Sequence, residues 1–127
     1  MFTVKVTPEF GRGLYATRKI YANEIIEVCE ILVLSPEDTK KVNETDLKWY
    51  TFVFDASTAQ DCIVLGMGEI FNHADQPNVK YDLVRYGDRF KMVFASVRDI
   101  EAGEQLFTDY NRDTQVDTSQ YVDKNLC

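Results

Sequence analysis

A chain of 127 residues with 45% hydrophobic content fits one domain around one core. Its 21 acidic side chains against 14 basic ones leave a net charge of −7, which argues against a nucleic-acid backbone as main partner and suits either basic partners or plain solubility. No apolar run approaches the ~20 residues of a membrane span, and the opening MFTVKVTPEF alternates like a strand and not a signal peptide, so the expectation is a soluble, intracellular protein with no membrane partner.

Residues 2–6 read as a first strand ended by Thr7-Pro8. Gly11 and Gly13 flank Arg12 and let the backbone turn and approach a ligand without a Cβ in the way. An isolated G-x-G is most often a hairpin turn, and with no third glycine and no following helix it is not a dinucleotide fingerprint. A turn at 22–24 leads into a β-branched strand or strand pair over 24–34. Ser35 and Pro36 read as an N-cap and first helical residue, with a short helix and loop over 38–46.

Residues 47–54, LKWYTFVF, read as a strand with Trp49, Phe52 and Phe54 in the core and Tyr50 facing a cleft. A short strand at 62–65 follows. Ile70 and Phe71 then lead, as a buried element, to a polar tip at Asn72 and His73, closed by a Pro77-Asn78 turn. The single histidine would by default be a satisfied core residue. Residues 79–97 read as a hairpin turning at Gly87-Asp88, with Val79, Tyr81 and Leu83 alternating on one strand and Phe90, Met92 and Phe94 on the other. A turn at 99–104, a last strand at 105–110 and a polar tail complete the chain. Cys29, Cys62 and Cys127 lie far apart without zinc-like spacing. They read as reduced thiols, with Cys29 and Cys62 as small buried residues and no metal. Pattern alone stops at a mainly β protein, a small barrel or sandwich.

Three marks stand in order: Gly11-Arg12-Gly13, then FNHADQPN at 71–78, then AGEQLFTDYN at 102–111. Together they resemble the SET domain of protein-lysine methyltransferases, which carries G-x-G near its start, N-H-S-C-x-P-N centrally and G-E-x-L-x-x-D-Y at its end. The resemblance covers nearly the whole chain and is nearest to minimal SET proteins, such as viral ones, that lack flanking domains. It implies the SET fold: mainly β, with several small curved β-sheets, few short helices and a knot-like C-terminal segment that brings the NH and DY motifs together. The SET domain would span 1–113, with a tail at 114–127 to close the substrate channel.

The implied activity is S-adenosylmethionine-dependent protein-lysine N-methylation of a basic protein or peptide. A histone tail is one such substrate, and acting on it would place the protein in a host nucleus. The sulfonium methyl group is already activated, so the enzyme mainly aligns an amine behind it, with no metal or covalent nucleophile. A lysine ammonium, with an unperturbed pKa of ~10.4, must first lose its proton, helped by desolvation and the neighbouring sulfonium charge. The resemblance makes Tyr110 the catalytic tyrosine whose hydroxyl orients the amine. It makes Phe10, Arg12, Gly13, Tyr50, Asn72 and His73 cofactor contacts, with His73 acting largely through its backbone and not as a general base. Tyr50, Phe107, Thr108 and Tyr110 would line the substrate channel.

The departures are specific. Ala74 and Asp75 replace the usual Ser-Cys, and Glu69 stands where many members carry Arg. Thr108, two residues before Tyr110, replaces the Phe or Tyr that limits how many methyl groups fit, which leaves the product state open. The cysteine-rich zinc segment after the final tyrosine is absent, so the tail from Arg112 to Cys127 or a second subunit of a homodimer must supply that wall. The alternative reading is a catalytically silent SET-like module that binds peptides or proteins.

Overall fold

The computed structural model describes residues 1–110, so the tail expected at 114–127, and Cys127 with it, lies outside the described residues. Among the described residues nine strands and little helix follow one another: β1 (Phe2–Thr7), β2 (Gly11–Ala16), β3 (Ile25–Val33), α1 (Pro36–Val42), β4 (Thr51–Asp55), β5 (Gln60–Val64), β6 (Asn72–His73), β7 (Val79–Tyr86), β8 (Arg89–Ser96) and β9 (Gln105–Thr108). Single turns of 3-10 helix lie at Asp46–Tyr50, Ala56–Thr58 and Met67–Ile70. The strands form a four-stranded sheet ordered β1-β2-β9-β6 and a five-stranded sheet ordered β4-β5-β3-β8-β7. The expectation of small sheets with few short helices is met. Among the described residues, no helix is long and apolar enough to cross a membrane.

Two compact units are interleaved along the sequence. The first comprises Met1–Val28, Ile70–Tyr81 and the segment beginning at Val93, and it holds the whole four-stranded sheet. The β1–β2 hairpin closes with Thr7 opposite Gly11, whose φ of 64° suits a residue without Cβ. Strand β9 then pairs antiparallel with β2, Leu14 opposite Leu106 and Tyr15 opposite Gln105. On its other edge β9 runs parallel to β6, Asn72 beside Phe107 and His73 beside Thr108. Because side chains alternate across a strand, Leu14, Ala16, Leu106 and Thr108 fall on the buried face. Gly13, Tyr15, Gln105 and Phe107 fall on the other. Leu14, Ile20, Phe71, Val79, Phe94, Ile100 and Leu106 are all essentially buried and form this unit's core. Phe71 stacks on Phe94 with ring centroids 4.7 Å apart.

Strand β6 is two residues long, so β9 would lose its partner beyond it. The side chain of Asn78 takes over: its Nδ2 donates to the Gln105 carbonyl at 2.8 Å, and its Oδ1 accepts from the Phe107 N–H at 2.8 Å. One amide thereby stands in for a peptide group on the open edge, which explains a polar residue that is only 4% exposed.

The second unit comprises Cys29–Glu69 and Asp82–Met92. Here α1 is capped as the sequence suggests: Ser35 Oγ accepts from the Asp38 N–H at 3.0 Å and Pro36 opens the helix. The strand expected over 47–54 is half replaced. Thr45 Oγ1 accepts from the Leu47 N–H at 3.2 Å and caps a 3-10 turn through Tyr50, so β4 starts only at Thr51. That turn fans its side chains around an axis and gives no continuous inner face. Trp49 accordingly leaves the expected core, with 74% exposure, and the Lys48 ammonium lies 4.9 Å from its ring centre. Phe52 and Phe54 are half-buried, and Phe54 meets Phe90 edge-on at 5.4 Å. The one-sided alternation expected in β7 also fails in its middle, where Tyr81, Asp82, Leu83 and Val84 are all buried, as in a strand covered on both faces. Cys29 and Cys62 are buried as expected, and burial pushes the Cys62 thiol up to about 12.

Candidate active site

The central and C-terminal motifs meet within the first unit. The Tyr110 N–H donates to Nδ1 of His73 at 2.9 Å, and the Tyr110 hydroxyl donates to the Phe71 carbonyl. An Nδ1 that accepts a hydrogen bond carries no proton, so the neutral ring is protonated at Nε2. That N–H points to Asp75 Oδ1 at 3.0 Å. The Tyr110 amide thus sets the histidine tautomer, and Asp75, one of the departures from the family's motif, accepts from the other ring nitrogen. The Tyr81 hydroxyl donates to the Asp109 carbonyl at 3.2 Å. Tyr110 is thus tied at its amide, its hydroxyl and the carbonyl before it.

The glycine motif joins the same cluster. Asn72 Nδ2 donates to the Arg12 carbonyl at 2.8 Å. A Cβ built on Gly13 would lie 3.0 Å from Asn72 Nδ2 and 2.4 Å from Gln105 Nε2, so glycine is what lets both amides lie against the backbone here. Phe10, 40% exposed, meets Phe107 edge-on at 5.5 Å. Phe10, Arg12, Gly13, Asn72, His73, Phe107, Thr108 and Tyr110 all belong to the first unit. Phe107 faces the half-buried side of β9, whereas Thr108 is 1% exposed on the core side. Tyr50 belongs to the second unit, at the end of the 3-10 turn, and is 45% exposed.

The SET domain family matches residues 11–111. The chain belongs to the SET-domain family. It is 30% identical over 108 residues to the Schizosaccharomyces pombe histone-lysine N-methyltransferase specific for H3 lysine-37, covering 84% of this chain and 71% of that protein. It is 29% identical over 114 residues to the Saccharomyces cerevisiae enzyme specific for H3 lysine-4, covering 85% of this chain but 11% of that protein. Among solved structures, CpSET8 from Cryptosporidium superposes with a TM-score of 0.76 at 22% identity over 91% of this chain and 59% of that one, a likeness of fold. Membership and relatives together support a lysine methyltransferase activity.

Within this SET domain the other departures have definite surroundings. Glu69 Oε1 accepts from the Val64 N–H at 3.1 Å at the end of β5. Burial lifts its carboxyl to about 7 despite that bond. Sequence reasoning missed Gln105 and Asn78 as site residues. Asn78 read only as a turn residue, and its one further signal was a polar side chain beside the apolar start of a strand. Gln105 lies inside the last motif at a position that no motif letter fixes, and only the register of β2 on β9 brings it to Gly13.

Proposed function

We propose that this SET domain is an S-adenosylmethionine-dependent protein-lysine N-methyltransferase acting on basic peptides, histone tails among them. The observation that carries the reading is the convergence on Tyr110: its amide on His73 and its hydroxyl on the Phe71 carbonyl, one residue from Asn72. A phenol that gives its only proton to a backbone carbonyl keeps its oxygen lone pairs for an incoming N–H. Such a group orients a neutral amine without adding a charge beside it.

The residue types present suit the cofactor. Gly13 carries no Cβ, and two side-chain amide nitrogens, Asn72 Nδ2 and Gln105 Nε2, lie close over it. Arg12, Gly13 and Asn72 would hold the amino-acid end, and Phe10 and the His73 backbone the adenosyl part. S-adenosylmethionine, when bound, supplies a methyl group already activated on a sulfonium. The chain's part is to hold a deprotonated lysine in line with it: Tyr110 orients the amine, while Phe107 and Thr108 shape its passage.

The test is label transfer from isotopic S-adenosylmethionine to basic peptides. Lysine-specific label is expected, and Tyr110→Phe is expected to cut kcat by ~100-fold or more while cofactor affinity stays within about twofold. Because the substitution also strips the Phe71 carbonyl of its donor, a stability loss of ~1–3 kcal/mol is expected and is followed by melting. Full cofactor binding with no label on any basic peptide, or an unaffected Tyr110→Phe enzyme, would overturn the reading.

A further inference from the structure

We propose that the His73 side chain is a positioning residue for Tyr110: it holds the Tyr110 backbone while the ring is neutral and releases it when the ring gains a second proton. The consequence for methyl transfer rests on the methyltransferase reading above, whereas the latch itself does not. His73 is the only histidine of the chain. It stands in β6, beside the end of β9, and Asp109 and Tyr110 follow directly after that strand. The Tyr110 N–H donates to Nδ1 at 2.9 Å, so the lone pair of that nitrogen is in use. Nε2 carries the ring's proton and lies 3.0 Å from Asp75 Oδ1. A second carboxylate oxygen, Asp109 Oδ1, stands 3.6 Å from Nδ1 itself. The Tyr110 ring lies tilted against the imidazole, centroids 5.2 Å apart. Among the described residues, the titratable side chains facing this ring are therefore Asp75, from the loop after β6, and Asp109 and Tyr110, from the segment after β9.

Proton uptake changes these bonds in one definite way. A proton from solvent takes the Nδ1 lone pair, and the ring becomes a donor at both nitrogens. Solvent has access, because the His73 side chain is 30% exposed. Nε2–H keeps Asp75. Nδ1–H can no longer receive the Tyr110 amide, and two N–H groups would confront each other across 2.9 Å. A turn of the ring brings Nδ1–H to the Asp109 carboxylate instead. Histidine is the side chain whose charge ordinarily changes between about pH 5 and 8, and here that change is tied to a backbone amide. The other ties of Tyr110, its hydroxyl on the Phe71 carbonyl and the Tyr81 hydroxyl on the Asp109 carbonyl, take no part in proton uptake. The phenol is thus loosened and not lost. It holds the substrate amine in line for less of the time, so kcat falls while peptide binding is largely kept. His73 exchanges no proton with the substrate in this role and does not touch the reacting atoms.

A single histidine makes the test direct. In the full chain, the ring nitrogens of His73 and the backbone amide of Tyr110 are followed by NMR from about pH 5 to about pH 8.5. On acidification the Tyr110 amide proton is expected to move upfield, as an N–H does on losing its acceptor, along the same curve as the ring. His73→Asn sets a side-chain oxygen near the place of Nδ1, an acceptor that takes up no proton in this range. Its Tyr110 amide is expected to stay nearly still. The ratio of wild-type to His73→Asn kcat on a basic peptide is expected to fall about threefold or more from about pH 8.5 to about pH 6, with KM moving less than about twofold. Deprotonation of the substrate lysine is common to both proteins and cancels in that ratio. A ring that titrates while the Tyr110 amide does not follow, or a kcat ratio flat between those pH values, would overturn the proposal. If His73→Asn does not fold, the wild-type titration decides alone. No label transfer by either protein at any pH, with the Tyr110 amide still following the ring, would overturn the methyltransferase reading and leave the latch standing.

Discussion

Glu69 illustrates how a single side chain acquires a property its neighbours in sequence do not announce. Its carboxyl is lifted from 4.5 to about 7 by burial, with the Val64 N–H pulling weakly the other way. The folded chain then holds a proton that the unfolded chain releases above its ordinary value. The neutral form's contribution to stability is fully present below about pH 4.5 and is lost as pH rises through about 7. Glu24 and Glu30, held low by hydrogen bonds from Arg18 and Arg89, act in the opposite sense at acid pH, so the comparison must be between variants and not between pH values alone. Glu69→Gln is expected to leave the melting temperature unchanged near pH 5 and to raise it by roughly 2–4 °C at pH 8. Equal melting curves at pH 8 would show that the carboxyl ionises freely. Sequence comparison singles out Glu69 as a missing arginine, but its proton depends on burial, which only the fold supplies. Gln105 is hidden for a related reason, since its amide meets Gly13 only once β2 and β9 are in register.

At the scale of elements, the three sequence motifs turn out to be three strands of one sheet. The G-x-G lies in β2, Asn72 and His73 are β6, and the last motif contains β9, which runs between them. Their order along the chain was legible because each carries its own residue types. The pairing was not, because hydrophobic period reports one strand at a time and leaves a barrel, a sandwich and this sheet equally plausible. Local chemistry was the readable part: the Ser35 cap and the Gly87-Asp88 turn depend on two or three adjacent residues. Trp49 was misread because a run of aromatics resembles a strand, while the deciding signal was the Thr45 hydroxyl capping a 3-10 turn before it. The weak point of the sheet is the open edge of β9, which Asn78 completes at Gln105 and Phe107. Asn78→Ala would leave that carbonyl and that N–H without their side-chain partner, and a loss of ~2–4 kcal/mol in denaturant unfolding is expected. A loss below ~0.5 kcal/mol would mean that water reaches this edge and Asn78 is dispensable.

Charge belongs to the whole molecule and is read without any fold. The formal net charge of −7 is a property of the sequence, and surface pairs such as Glu24 with Arg18 and Glu104 with Arg98 set opposite charges side by side without changing it. Exposed pairs of this kind add little stability, so the excess acts mainly on what approaches the protein. A basic peptide is drawn in by the summed field, and salt weakens that field over the Debye length, from ~30 Å at 0.01 M to ~8 Å at 0.15 M. On the proposed reading the chemical step depends on short contacts at Tyr110, well inside that length. The expectation is therefore a split: raising ionic strength from ~0.02 to ~0.3 M should lower kcat/KM for a basic peptide by about tenfold through KM, with kcat nearly unchanged. A peptide of the same length with its flanking lysines and arginines replaced by glutamine should lose most of that salt dependence, since the field then has only the target ammonium to act on. If kcat/KM for the basic peptide were flat across that range, recognition would lie in local pockets and the acidic excess would serve solubility alone.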